Sequence, residues 1–201
     1  MLKIVTKKLD TKRRASARGF SMTELLVVLF LISATSVIAL PNFIRMWRTS
    51  QLTNGATQVA DILKLSRFQA IRRNTATVCR ISGSSTSTQI WADTNGNGTV
   101  DSGESLTVLS GNVNLVAAAS VPGTTSLATA IGPNVVLVPV STTTGSYTFD
   151  SRGAVTPAAV YVSYVTNATV TTLGYRAVIV LPSGSMQVWS GDTSGNWTRL
   201  E

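Results

Sequence analysis

Between Leu25 and Leu40 the chain is apolar except for Ser33, Thr35 and Ser36. Counted from Phe20, the stretch has 21 residues. As a helix it measures about 31 Å, the thickness of a bilayer's hydrocarbon core. One charge stands at its entrance, Glu24. An ionised carboxylate within a bilayer costs roughly 2.5 kcal/mol or more. A chain that keeps Glu24 there is expected to supply a cation for it.

The charge distribution shows where a cation could come from. The 201-residue chain carries a formal net charge of +8. Lys3, Lys7, Lys8, Lys12, Arg13, Arg14 and Arg18 all precede Gly19, against the single acid Asp10, so residues 1–19 carry +6. A positive leader before an apolar run predicts a cytoplasmic leader and a single membrane span. From Asn74 onward four arginines face six acids, so the remainder is mildly acidic and nucleic acid is disfavoured as a partner. The lone Cys79 excludes an internal disulfide, and there is no histidine to act as general base or metal ligand. Cys79 reads as a small core residue rather than a nucleophile. No catalytic pair or nucleotide fingerprint appears, which argues against an enzyme.

Beyond Pro41, which should kink the helix rather than end it, a helical pattern resumes. Val59, Ile62, Leu63 and Ala70 form one stripe. Leu65 and Phe68 lie off it, so two buried faces are expected, with a stop near Asn74. Residues 75–201 alternate β-branched runs with turn residues: "TATVCRI", "STQIWAD", "SLTVLS", "NVVLVPV", "GSYTFD", "AVYVSYV", "YRAVIVL" and "MQVWSG". These predict short antiparallel strands. Stretches 82–88, 119–130 and 141–146 read as loops from their Ser, Thr and Gly content. The expected organisation is a leader (1–19), a membrane and assembly helix (20–40), an amphipathic helix entering a head (41–74) and a β-rich domain (75–201). The fold class is α+β, a long N-terminal helix packed on an antiparallel sheet domain.

If the chain is cut between Gly19 and Phe20, the new α-amine at Phe20 is mostly cationic at neutral pH. Glu24 then lies one helical turn away. The two charges can neutralise each other within a subunit or between neighbours. An ordinary secretory signal cut near Val37-Ile38-Ala39, or a plain single-pass anchor, also fits the apolar run, but neither explains Glu24. The combination of basic leader, Arg18-Gly19-Phe20-Ser21, Thr23-Glu24-Leu25-Leu26-Val27-Val28, apolar run and Pro41 resembles the class III signal of type IV pilins and type II secretion pseudopilins. The resemblance implies a pilin-like fold, cleavage after Gly19 by a prepilin peptidase and N-methylation of Phe20 by the same partner. It also implies an inner-membrane protein with a cytoplasmic N-terminus and a periplasmic C-terminal domain. Such a protein would join other pilin or pseudopilin subunits through bundled N-terminal helices, with Glu24 in assembly.

"DTNGNGTVDSGE", residues 93–104, fits a twelve-residue calcium-loop template. Asp93, Asn95, Asn97, Asp101 and Glu104 supply hard oxygens, Thr99 a backbone carbonyl and Gly98 the sharp bend. Its flanks are strand-like, so the loop would cap a β-hairpin, and a structural calcium would stiffen it. The other reading is an Asn/Gly-rich turn that needs no ion. No other cofactor is implied.

Within the pilin-like proteins the chain resembles the GspH/FimT-type minor subunits. The resemblance rests on "ILKLSRFQAIRRNTATVCR", the 93–104 hairpin, "YTFDSRGAVT" with Asp150 and Gly153, and "YRAVIVLPSGSMQVW" with Gly184. It implies a structural minor pseudopilin of a type II secretion system. The alternative is a FimT-like minor pilin of a type IV pilus. Some FimT-like members bind DNA for uptake through a basic Gly-Arg-x-Arg motif, but here Gly184-Ser185-Met186-Gln187 stands at that place without arginine. Arg152 and Arg176 are the residual candidates for DNA contact. Trp189 and Trp197 could stack on bases but fit core or partner contacts better.

Overall fold

The computed structural model describes residues 19–84, 87–109 and 112–200. Residues 1–18 of the basic leader lie outside the described residues. One helix, α1, runs from Met22 to Arg73, with Pro41 inside it. The chain divides into two compact units, one ending at Asn42 and the other running from Phe43.

In the first unit Phe20 and the apolar side chains of α1 from Met22 through Leu40 are exposed. Its hydroxyls are satisfied within the helix. Ser33 Oγ donates to Phe30 O at 2.8 Å, Thr35 Oγ1 to Leu31 O at 3.0 Å and Ser36 Oγ to Ile32 O at 2.7 Å. Bonding back to the preceding turn removes the need for water, so these three residues do not disqualify the run as a membrane span.

In the second unit α1 buries one face, made by Leu52, Gly55, Ala56, Val59, Ala60, Ile62, Leu63, Ser66 and Ala70. The expected second face does not form. Leu65 packs at the core's margin, while Phe68 is 57% exposed. The helix ends as its sequence indicates. Asn74 takes a left-handed φ of 52°. Its N–H donates to Ile71 O at 3.2 Å, and the Thr75 N–H donates to Ala70 O at 3.2 Å. This pair of bonds satisfies the last carbonyls and stops the helix.

Two sheets follow. The first contains β1 (Thr77–Gly83), β2 (Thr88–Asp93), β3 (Leu106–Leu109), β6 (Ser146–Phe149) and β7 (Val155–Thr156), in the order β3-β2-β1-β6-β7. The second contains β4 (Val113–Val116), β8 (Val160–Asn167), β9 (Tyr175–Val180), β10 (Met186–Gly191) and β11 (Trp197–Arg199), in the order β11-β10-β9-β8-β4. A short β5 (Leu137–Pro139) pairs with β8 in parallel, the one departure from antiparallel pairing among the described strands. The main core joins the buried stripe of α1 to both sheets through Cys79, Ile81, Ile90, Tyr147, Phe149, Val165, Val178 and Val180. A buried hydroxyl pair, Tyr147 and Ser163 at 2.6 Å, links the sheets. The expected α+β class is the fold observed.

Several local expectations need correction. Residues 119–130 are not a loop throughout, because Thr124–Ile131 form a helix, α2, that buries Leu127. It lies in a second cluster, with Val162, Tyr164, Ala177, Ile179 and Trp189, on the outer face of the second sheet. Ser82, Gly83 and Thr88 of the 82–88 stretch belong to strands, as does Ser146. Strands β4, β7 and β11 were not anticipated. Each is short, and only its pairing to a longer neighbour makes it a strand.

At Gly55, α1 lies against Val113 of β4. A Cβ placed there would stand 2.5 Å from Val113 Cγ1. Alanine would add roughly 1 kcal/mol of helix propensity. It would also press on a stiff β-branched side chain, at a cost of about 1–3 kcal/mol. Gly55→Ala is therefore expected to destabilise the head by about 1 kcal/mol. Adding Val113→Ala should remove that specific penalty, read as a favourable coupling in a denaturant double-mutant cycle.

Candidate functional site

The start of α1 is built around Ser21. Its Oγ accepts the Glu24 N–H at 3.1 Å, and the Leu25 N–H donates to Ser21 O at 3.1 Å. Ser21 is thus the N-cap and Glu24 the third helical residue, the spacing of a capping box. A carboxylate here also faces the positive end of the helix dipole. This local role for Glu24 went unnoticed in the sequence, although Ser-x-x-Glu signals it. Phe20 is 80% exposed, and a side chain on Gly19 would meet nothing within 4 Å. Both residues are exposed.

The 93–104 loop joins β2 to β3 and closes on itself through its own polar groups. Asp93 has a fully buried side chain. Its Oδ2 accepts from Arg80 Nε at 2.6 Å and from the Gly98 N–H at 3.0 Å, while Oδ1 accepts the Gly96 N–H at 2.6 Å. Burial alone would raise the Asp93 carboxyl. The Arg80 guanidinium and the two glycine amides outweigh it and hold the carboxyl below its ordinary range. Asn95 and Asn97 then form successive Asx turns. Asn95 Oδ1 accepts the Asn97 N–H at 3.1 Å, and Asn97 Oδ1 the Thr99 N–H at 2.9 Å. Both Asn side-chain amides donate to Asp101 Oδ2 at 2.6 Å. Glu104 accepts from the Thr94 N–H at 2.8 Å and the Asp101 N–H at 3.2 Å. Asn95, Asn97 and Asp101 therefore converge, whereas Asp93 turns towards Arg80. Among the described residues no three of His, Cys, Asp and Glu gather in a way that could hold a metal.

A depressed carboxyl stabilises the fold above its unfolded pKa of about 4 and loses that effect as pH falls through the lower folded value. Asp93→Asn is expected to cost about 2 kcal/mol at neutral pH. The gap from the unaltered chain should narrow below about pH 4, as chemical denaturation at pH 7 and pH 3 would show.

The two arginines considered for DNA contact have different surroundings. Arg152 is exposed on the turn between β6 and β7. Arg176, on β9, is 5% exposed. It faces α1, donating to Thr53 Oγ1 at 3.2 Å and to Tyr175 O at 2.9 Å. Burial lowers its pKa. A guanidinium so placed is not offered to a phosphate backbone. Trp189, 7% exposed, and Trp197 both belong to the α2 side of the second sheet. Burial pushes the Cys79 thiol up to about 12, which leaves it inert.

Sequence reading missed Arg67. From α1 its Nε donates to Gly153 O at 2.9 Å and its Nη2 to Ser183 O at 3.3 Å. It ties the helix to the turn of "DSRGA" and the turn of "PSGS". Gly153 and Gly184 both have left-handed φ, 80° and 76°. A Cβ on Gly184 would overlap the Gly153 carbonyl oxygen. Three separate motifs therefore meet at one point.

The described residues thus comprise an exposed apolar helical segment and a two-sheet head. The sequence profile described as "Type II transport protein GspH" matches residues 55–184. The chain belongs to the GspH family, and its class is that of minor pseudopilins and pilins, structural subunits rather than known enzymes. Two crystal structures of the type IV minor pilin FimU of Pseudomonas aeruginosa are similar at 13% identity. Their TM-scores are 0.47 and 0.46, covering 74% and 73% of this chain and 93% and 97% of theirs. No curated protein sequence matches the chain.

Proposed function

We propose that this chain is a non-enzymatic minor pseudopilin of a type II secretion system. A prepilin peptidase removes the leader after Gly19, and Phe20 becomes the methylated N-terminus. The helix over 20–40 lies in the inner membrane, and the head over 75–201 faces the periplasm. Subunits associate through their exposed helices, with Glu24 answering the ammonium group of Phe20 in a neighbour. The observation that carries this reading is the family match over residues 55–184, in a chain whose helix leaves its apolar run exposed. Purification of the intact mature protein with its membrane partners, read by mass spectrometry, tests it. Recovery with type II secretion pseudopilins is the expected result. Recovery with type IV pilus minor pilins would support the alternative instead.

A narrower proposal concerns the hairpin tip. The calcium-loop spacing supports a weak structural calcium there, for which Asn95 and Asn97 would turn their amide oxygens, now on backbone N–H groups, to the ion, and Asp93 and Glu104 would exchange amide partners for it. The melting temperature should rise in about 5 mM calcium and not in chelator. Asp93→Ala combined with Glu104→Ala should abolish the rise. An unaltered chain with no rise would make the hairpin metal-free.

A further inference from the structure

The segment just beyond the apolar run carries a second surface. Phe43, Ile44, Met46 and Trp47 are 59%, 48%, 70% and 58% exposed. Phe43 and Trp47, one turn apart, stand together with ring centroids 6.2 Å apart. Arg45 and Arg48 are also exposed, and neither side chain has an ion-pair or hydrogen-bond partner among the described residues. No acid occurs between Glu24 and Asp61.

At 3.6 residues per turn, Arg45 and Arg48 project on the opposite side of α1 from Phe43 and Trp47. The arginines continue the stripe that Leu52, Val59 and Leu63 later bury. One docking helix would need a single apolar face, but here the chemistry encircles the helix. From Phe43 to Arg48 the helix rises about 7.5 Å, close to the depth of one headgroup layer. Amphipathic aromatic rings and arginines are the side chains that settle at that level.

We infer that Phe43–Arg48 forms a girdle in the lipid headgroup layer, with Arg45 and Arg48 on lipid phosphates and Phe43 and Trp47 at the edge of the hydrocarbon. This rests on the membrane-spanning part of the proposed function. In the subunit awaiting assembly, the girdle fixes how far α1 emerges from the bilayer. It must be released when the subunit leaves for the filament.

The test uses the full chain in vesicles of phosphatidylcholine with about one third phosphatidylglycerol, carrying a nitroxide on either the headgroup or the middle of the acyl chain. The fluorescence difference between the unaltered chain and Trp47→Phe isolates Trp47 from the other three tryptophans. Quenching of Trp47 by the headgroup nitroxide is expected to exceed mid-chain quenching by about threefold. In Arg45→Gln with Arg48→Gln the preference should fall towards parity. Protection from both nitroxides, with cross-linking of residue 47 to a second copy, would overturn the proposal in favour of helix–helix packing. Quenching by aqueous iodide alone would overturn it in favour of a solvent-exposed turn. Failure of the chain to float with vesicles after an alkaline wash would overturn the membrane span itself, and the girdle with it.

Discussion

Glu24→Ala is expected to insert in the membrane normally and to lose filament incorporation by at least about tenfold, a difference of only about 1.4 kcal/mol per subunit contact. Insertion should persist because the substitution removes a charge from an otherwise apolar run. Incorporation should fall because a carboxylate and an ammonium about 4 Å apart attract by about 4 kcal/mol in a protein-like dielectric, well above that threshold even after desolvation takes a share. The structure adds a confounding role, since Glu24 is also the third residue of a helix capped by Ser21. Glu24→Gln separates the two roles. Glutamine serves the cap position as well as glutamate but carries no charge. If Gln behaves like Ala, the charge drives assembly. If Gln restores incorporation, Glu24 matters only as a helix start. Comparing membrane and sheared-filament fractions gives the answer.

Gly184→Ala is expected to destabilise the head by about 3 kcal/mol or more, combining left-handed backbone strain of about 1–2 kcal/mol with the clash it creates. The obstacle is the backbone carbonyl oxygen of Gly153, which cannot rotate away. Arg67 already bonds that oxygen at 2.9 Å, so relief at Gly153 would disturb the bridge to α1. For a domain of this size a loss of about 3 kcal/mol lowers the melting temperature by roughly 10 °C. Thermal unfolding of the variant should show it. A change below about 2 °C would mean that the two turns do not touch as described.

The contrast between Gly184 and Arg67 shows what was legible in the sequence. Gly184 sits in a turn pattern that composition reveals. Arg67 carries no local signal that sets it apart from the neighbouring Lys64, Arg72 and Arg73. Its value comes from two turns more than 80 residues away in sequence, and no local signal encodes their meeting. The same division runs through the fold. The apolar run, the stop at Asn74 and the strands with strong β-branched patterns were readable because their signals are local. Helix α2 was not, because four Ser and Thr residues among the eight of "TTSLATAI" give it the look of the Ser/Thr-rich stretch around it. It is held by burying Leu127 on the second sheet. Phe68 misled in the other direction, since a large apolar residue off the stripe need not be buried. In the 93–104 loop the turn-forming Asn and Gly residues are legible, but the pull of Arg80 on Asp93 is not. That pairing depends on the register that sets β1 beside β2.

The central claim is that trimming after Gly19 exposes an ammonium group for Glu24 to answer. N-terminal mass spectrometry of protein purified from the membrane tests it most directly. The account predicts a chain that begins at Phe20 with its α-nitrogen methylated. A chain that begins at Met1, or near Ala39, would contradict it.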